Sequence, residues 1–109
     1  MAKFSIVRVD DVSYGHPELI KRLVYRVTMR QSDAEYVQKV AGRVLRVAKR
    51  RRFNAMSILM YRDASEVDGP HTVGEVVFAP HGDWARAHEV QAGNYESMEL
   101  RIVMRELQE

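Results

Sequence analysis

One long segment, residues 33–51, has the hydrophobic periodicity of an amphipathic helix, and the rest of the chain has to be arranged around it. Immediately before it, Ser32-Asp33-Ala34-Glu35 has the spacing of a capping box, which predicts Ser32 as the N-cap. Apolar residues then recur at i, i+3, i+4, i+7 and i+11, so they share one helix face. This predicted buried face consists of Val37, Val40, Ala41, Val44 and Ala48.

Five other segments have the β-branched content, the alternation or the continuous hydrophobicity of strands. In the second of them apolar and polar side chains alternate, which predicts a half-buried strand. The third is almost continuously apolar, which indicates a central strand, with a helix as the alternative. Gly74 interrupts the fourth as a bulge or a close backbone approach, and Pro80 ends it. The predicted strands are residues 3–9, 21–30, 53–61, 71–79 and 98–105, with a helical turn near residues 84–88.

The predicted order of elements is β-β-α-β-β-β, in which too few helices intervene for a doubly wound parallel sheet. We therefore predict an α+β fold, a two-layer sandwich in which one long amphipathic helix covers a mostly antiparallel sheet of about five strands. If the two strands that flank the helix run parallel, the helix is a crossover connection between them. The chain of 109 residues has the length of a single domain, residues 1–109.

The composition excludes several kinds of chemistry. The chain has no cysteine, so it has no disulfide, no thiolate zinc site and no cysteine nucleophile. No apolar run approaches the roughly 20 residues of a membrane-spanning helix. The N-terminus lacks the apolar stretch of a secretory signal. We therefore expect a cytoplasmic protein that has no membrane partner and is a monomer or a small homo-oligomer.

Short motifs follow one another along the chain, and together they resemble a known family. They are Val12-Ser13-Tyr14-Gly15, Phe53-Asn54-Ala55-Met56, Tyr61-Arg62-Asp63, Thr72-Val73-Gly74-Glu75, Ala79-Pro80-His81-Gly82-Asp83-Trp84 and Val90-Gln91-Ala92-Gly93-Asn94-Tyr95. In this order they resemble a family of small uncharacterised domains from bacteria, archaea and phages, whose pattern runs Ser-Tyr-Gly, Phe-Asn-Ala-Leu, Tyr-Asp, Thr-Leu-Gly, Ala-Pro-x-Gly-x-Trp and Gly-Asp-Tyr. The chain departs from that pattern at Arg62, Val73 and Asn94. The resemblance implies a single domain with the predicted order of elements, and it implies no activity.

The aromatic, glycine, proline and polar residues of these motifs allow two interpretations. They could form a binding surface of loops at one end of the sheet. They could instead maintain the fold through special backbone angles, turn hydrogen bonds and packing, which is the interpretation that the sequence favours. This motif set comprises Tyr14, Gly15, Asn54, Tyr61, Asp63, Gly74, Pro80 and Trp84.

The helix and the residues directly after it carry seven cations with no acidic residue between them. Because the whole chain has a net charge of +2, removing these seven charges leaves a net charge of −5 on the remainder. Such asymmetry is typical of proteins that bind polyanions. The alternative is a solvated helix face whose late cations suit the helix dipole. The candidate nucleic-acid-binding residues are Lys39, Arg43, Arg46, Lys49, Arg50, Arg51 and Arg52.

A second group of arginines lies on the polar face of the predicted strands. Platforms that bind single-stranded nucleic acid on a sheet combine cations with aromatic side chains, and no aromatic residue stands between these arginines on their strand. Pairing with acidic residues on neighbouring strands is therefore the preferred interpretation. The arginines are Arg22, Arg26, Arg30, Arg101 and Arg105, and the expected acidic partners are Glu75 and Glu99.

The loops contain His81, Asp83 and His88, and also Asp68 and His71, but neither spacing matches an established metal motif. The chain has no Gly-x-Ser-x-Gly nucleophile elbow and no glycine-rich phosphate loop. We therefore expect no metal site and no cofactor. The sequence favours a non-catalytic binding or accessory domain whose partner it does not identify, with nucleic acid and another protein as the candidates. The alternatives are nucleic-acid binding through the basic helix and a hydrolase that uses the loop histidines and aspartates.

Overall fold

A computed structural model describes residues 3–15, 19–30, 33–69 and 73–104. They form a five-stranded sheet with one α-helix, and the strands lie in the sheet in their sequence order. All neighbouring strands are antiparallel except the second and third, which are parallel. The predicted α+β architecture is confirmed. The elements are β1 (Phe4–Asp11), β2 (Arg22–Met29), α1 (Ala34–Ala48), β3 (Ala55–Tyr61), β4 (Gly74–Pro80) and β5 (Met98–Met104).

Helix α1 connects the parallel strands β2 and β3. Parallel neighbours cannot be joined by a tight turn, because the chain has to return to the end of the sheet from which it started. Helix α1 makes this return and is continued by a 3-10 turn at Lys49–Arg51. The left-handed backbone of Arg52, with φ of 48°, then redirects the chain towards β3. The C-terminal end of α1 therefore lies at the end of the sheet where β2 and β3 begin.

The hydrophobic core lies between α1 and one face of the sheet. In β2 the alternate residues Leu23, Tyr25, Val27 and Met29 are buried, as the alternation predicts. The predicted helix face is buried in full, and full burial of a side chain the size of valine contributes about 1.5–3 kcal/mol. The buried helix residues are Val37, Val40, Ala41, Val44 and Ala48.

Strand β3 is the central strand, and it is buried on both faces. Helix α1 covers one face of the sheet. On the other face, which we call the open face, the 3-10 helix Trp84–Glu89 packs Ala87 against Ala55 and Ala79. This double coverage explains the nearly continuous hydrophobicity of β3. The strand prediction is confirmed, and so is the helical turn expected near residues 84–88.

The helix ends differ from the predicted ones. Asp33 is the N-cap of α1, and its carboxylate accepts a hydrogen bond of 3.3 Å from the backbone N–H of Tyr36. Ser32, the predicted N-cap, lies outside the described residues. Aspartate caps a helix as well as serine does, so α1 begins after Asp33. A capping box does occur, between Asp63 and Glu66 around the 3-10 helix Ala64–Glu66. None of the helices in the described ranges is long and apolar enough to cross a membrane.

Strand β4 begins at Gly74 and includes Pro80 as its last residue, whereas the prediction places it at residues 71–79, of which 71 and 72 lie outside the described residues. A side chain at Gly74 would lie 2.8 Å from the carbonyl oxygen of Val103 on β5, so the predicted close backbone approach is confirmed. Strand β1 extends to Asp11, beyond its predicted end at residue 9. Strand β3 begins at residue 55 instead of 53, because the preceding residues turn the chain after α1.

Candidate functional site

The seven cations at α1 and its C-terminal end are all exposed, and together we call them the basic helix surface. Lys39, on the second turn of α1, pairs with Glu35 at 3.4 Å. Both side chains are largely exposed, so this pair contributes little to stability. In the described part of the chain, Arg43, Arg46 and Arg50 have no carboxylate within ion-pair distance.

The spacing of these three arginines places them on one stripe. Residues three and four apart are neighbours on a helix surface, so Arg43, Arg46 and Arg50 follow one another along α1 and into the 3-10 turn. With 1.5 Å per residue, the stripe from Lys39 to Arg50 rises by about 16 Å. The stripe lies opposite the buried face of α1, so its cations are available to a partner in solution.

Two members of the basic helix surface also pack against the loop after residue 90. The ammonium of Lys49 lies 5.4 Å from the ring centroid of Phe78 and 5.3 Å from that of Tyr95. The hydroxyl of Tyr95 also donates a hydrogen bond of 3.4 Å to the carbonyl oxygen of Lys49. Arg52 lies against Gly93, whose φ is 90°. Lys49 and Arg52 therefore help to hold this loop, and the less constrained cations are those of the stripe and Arg51.

The basic helix surface continues onto the start of β2. The ammonium of Lys21 donates a hydrogen bond of 3.0 Å to the carbonyl oxygen of Arg51. Asp11 lies close to both cations, and its pKa is lowered. The main cause is hydrogen bonding from the side chain and backbone of Ser13, and the charges of Lys21 and Arg51 add to it. Lys21 therefore extends the positive charge from the helix end to the edge of the open face.

The side chain of Arg22 on the open face meets two aromatic rings. Its guanidinium carbon lies 4.4 Å from the ring centroid of Tyr14 and 4.9 Å from that of Trp84. Its Nε is buried and has no hydrogen-bond partner among the described residues. The sequence interpretation of the strand arginines is wrong at this position, because loops before β2 and after β4 supply the aromatic rings. The motif set contained both rings, but no local sequence pattern indicates that Arg22 joins them.

Arg26, also on the open face, is held in an ion-pair network. Its Nε pairs with Asp10 at 2.9 Å, and Arg8 links Asp10, at 3.0 Å, to Asp68, at 2.7 Å. Hydrogen bonding from Arg26 is the main cause that lowers the pKa of Asp10, and Arg8 adds to it. The prediction of Glu75 or Glu99 as the acidic partner is therefore wrong for Arg26, because Asp10 on the neighbouring strand β1 pairs with it. Of the other strand arginines, Arg30 and Arg101 are exposed, and Arg105 lies outside the described residues.

The motif set does not lie at one end of the sheet. Five of its members surround the starts of β2 and β3 and the end of β4, while the other three lie at the opposite end. Several make structural contacts: Asn54 accepts a hydrogen bond of 2.8 Å from the Lys21 N–H and donates one of 2.7 Å to the Val90 carbonyl. The first group is Tyr14, Gly15, Asn54, Pro80 and Trp84, and the second is Tyr61, Asp63 and Gly74.

The described loop histidines and acidic residues lie apart from one another or make structural hydrogen bonds. Asp83 caps the 3-10 helix Trp84–Glu89 by accepting a hydrogen bond of 3.0 Å from the N–H of Ala85. Across the described ranges no three histidine, aspartate or glutamate side chains come close enough to hold a metal ion. His81 and His88 are exposed, and His71 lies outside the described residues. The hydrolase hypothesis gains no support from this geometry.

Among the described residues, open cavities lie at both ends of the sheet. One, of about 340 Å³, lies where β3 begins and is lined by residues that include Ile20, Asn54, His88 and Gln91. The other, of about 510 Å³, lies where β2 and β3 end and is lined by Lys3, Ser5, Thr28, Arg30, Arg62 and Asp63, among others. Neither contains a member of the basic helix surface.

Compared with known proteins, the chain matches no family model, no curated protein and no solved structure. The family resemblance in the sequence therefore stays a prediction. The candidate site rests on the geometry of this chain alone, and its strongest feature is the contrast among the arginines. Arg8, Arg26 and Arg86 are paired with carboxylates, whereas the arginine stripe on α1 is not.

Proposed function

We propose that this chain is a non-catalytic binding domain that engages the phosphate backbone of nucleic acid through the basic helix surface. The observation that carries the proposal is the stripe of exposed arginines that lack a carboxylate partner in the described part of the chain. Unpaired cations on one face repel one another, and a polyanion removes that repulsion by neutralising them. Displacement of counterions from the nucleic acid adds a favourable entropy.

The spacing of the stripe suits a phosphate backbone better than a single small anion. A rise of about 16 Å spans several phosphates of one strand. The side chains lie on a rigid helix whose opposite face is buried, so they approach a partner without rearrangement of the core. Contacts of this kind go to phosphates and carry little sequence information. We therefore propose binding with weak sequence preference, which suits the cytoplasmic location that the sequence predicts.

The test is fluorescence anisotropy with labelled single- and double-stranded DNA and RNA at about 50 mM and about 200 mM salt. A protein that neutralises about six phosphates loses on the order of 10³ in affinity between these two salt concentrations. The double substitution R43E/R46E should abolish binding at the higher salt without unfolding the chain, because both side chains point away from the core.

The matched control is K3E/R30E, which changes the net charge by the same amount at exposed positions near the N-terminal end of α1, whereas the stripe runs towards the C-terminal end. This control should bind within about threefold of the parent at the lower salt, since only long-range electrostatics change. Equal losses in both double variants would reduce the effect to net charge and contradict the proposed surface. Absence of binding by the parent at the lower salt would contradict the proposed function and favour an acidic protein partner.

A further inference from the structure

We infer that the nucleic acid bound here is single-stranded and that one of its bases stacks on Tyr14, next to Arg22 and Trp84, an inference that rests on the proposed function. Tyr14 is 39% exposed, although its ring contacts the guanidinium of Arg22. A flat aromatic ring that is held in place and still open to solvent is the kind of surface on which bases stack. We call Tyr14, Arg22 and Trp84 the aromatic platform.

The aromatic platform is rigid because its inner part belongs to the fold. Trp84 packs against the buried alanines Ala55, Ala79 and Ala87 on the open face. In the described part of the chain the rings of Tyr14 and Trp84 do not contact each other, so the guanidinium of Arg22 joins them. An antiparallel β-bridge, made of backbone hydrogen bonds between Tyr14 and Ile20, fixes the loop that carries Tyr14. A ring fixed in this way stacks on a base with little loss of conformational entropy.

The aromatic platform is connected to the basic helix surface through adjacent residues. Arg22 is the first residue of β2 and Lys21 directly precedes it. The Lys21 ammonium donates a hydrogen bond to the carbonyl oxygen of Arg51. Side chains of successive strand residues point to opposite faces, so this pair carries positive charge around the end of the sheet. A strand whose phosphates lie along α1 would pass Arg50 and Arg51, turn at Lys21 and bring its next base to Tyr14.

Single-stranded nucleic acid can use both the basic helix surface and the aromatic platform, whereas a duplex can use only the basic helix surface. In a duplex the faces of the bases are stacked on one another, and an aromatic ring reaches them only if the helix is opened. In a single strand the faces are free, and sequence-tolerant proteins bind them with aromatic rings beside a basic groove.

The experiment compares Tyr14→Ala and Tyr14→Phe with the parent, using a labelled 15-nucleotide single strand and the matching duplex at about 50 mM salt. Tyr14→Ala should bind the single strand about tenfold more weakly and the duplex as the parent does, because only the single strand uses stacking. Tyr14→Phe keeps the ring and should retain the affinity of the parent. Trp84 is the only tryptophan of the chain, so its emission should change when the single strand binds, and less so in Tyr14→Ala.

The outcomes separate this inference from the proposed function. If Tyr14→Ala binds both nucleic acids as the parent does, or loses affinity for both equally, the aromatic platform is not a base-binding site and the inference fails. The proposed function would still stand if R43E/R46E lost binding in the same assay. If Tyr14→Ala and Tyr14→Phe are equally impaired for the single strand, the tyrosine hydroxyl and not stacking is responsible, which also overturns the inference. If the parent binds neither nucleic acid, both proposals fail together.

Discussion

Arg26 donates a hydrogen bond of 2.8 Å from its Nη1 to the hydroxyl of Tyr61, across the parallel pair of β2 and β3. The same Nη1 donates to the carbonyl oxygen of Val67 at 2.6 Å, and the Tyr61 hydroxyl donates to that of Gly69 at 2.7 Å. These bonds attach the segment after β3 to the open face of the sheet. They also show that strand arginines differ in role, since Arg26 holds this segment in place and Arg22 contacts the exposed Tyr14 and the half-buried Trp84.

Removing the hydroxyl of Tyr61 should destabilise the fold. In Tyr61→Phe the Gly69 carbonyl loses its donor and Arg26 loses an acceptor, so we expect the free energy of unfolding to fall by about 1–2 kcal/mol. Urea denaturation followed by circular dichroism measures this change. Tyr25→Phe is the control, because Tyr25 is equally buried but its hydroxyl makes no hydrogen bond with a described residue. Equal losses in the two variants would show that the bond to Gly69 contributes nothing.

The ion-pair network of Asp10 predicts a dependence of stability on pH. The pKa of Asp10 lies below its ordinary value of 3.8, chiefly because Arg26 donates a hydrogen bond to it. A lowered pKa means that this stabilisation is present above pH 3.8 and is lost as the pH falls through the folded-state pKa. Asp10→Asn should therefore be less stable than the parent at pH 7, and the difference should shrink at acidic pH.

Unfolding curves in urea between pH 7 and pH 2.5 check this expectation for Asp10. Glu96→Gln removes one exposed negative charge outside the network and serves as the control for net charge. A difference between Asp10→Asn and the parent that stays constant over this pH range would show that the carboxylate charge is not what stabilises the network.

The buried face of α1 should be far more sensitive to truncation than the rest of the helix. Val44 is fully buried in the core, whereas Val47, one turn on, is 43% exposed. Val44→Ala should lower the free energy of unfolding by about 2 kcal/mol, from lost burial and the cavity left behind. Val47→Ala should change it by less than about 0.5 kcal/mol. Similar effects at both positions in thermal or urea unfolding would contradict the described packing of α1.

Two glycines should respond to alanine in opposite directions. A side chain at Gly74 would collide with the backbone of β5, so Gly74→Ala forces β4 and β5 apart and should destabilise the fold by about 1–3 kcal/mol. At Gly42, in the middle of α1, no described atom beyond the adjacent residues and the backbone of the helix itself lies within 4 Å of the added methyl group, and alanine is the better helix former. Gly42→Ala should stabilise the fold by about 1 kcal/mol. Melting temperatures of the two variants test both signs.

Much of the architecture could be predicted because it depends on periodicity. The apolar residues from Val37 to Ala48 repeat with the helical period, and those from Leu23 to Met29 alternate with the strand period. Both buried faces therefore follow from local sequence. The continuous hydrophobicity of residues 55–61 likewise marks a strand covered on both faces. Capping is less determined, because several residues near the start of α1 can act as the cap.

The candidate site could be predicted only in part. The exposure of the cations on α1 could be predicted, because the helical period that buries one face of the helix places them on the opposite face. The contacts of Arg22 and Arg26 could not, because their partners come from segments that are distant in sequence, such as Trp84 and Tyr61. The motif set identified those aromatic residues without assigning their partners. Long-range pairing of side chains depends on which strands become neighbours and on the path of the loops between them, and no local pattern encodes either.

The sequence order of the strands in the sheet has a consequence for how the chain folds. Every strand hydrogen-bonds to the strand that precedes or follows it, and the three antiparallel pairings close shorter connections than the parallel pairing does, so they are expected to form faster. The parallel pairing, which sets Leu23 opposite Met56, closes a long loop at a larger entropic cost. When helix α1 forms, it shortens that loop, and the entropy lost when β3 pairs with β2 becomes smaller. Substitutions that weaken α1 should slow folding itself, beyond accelerating unfolding.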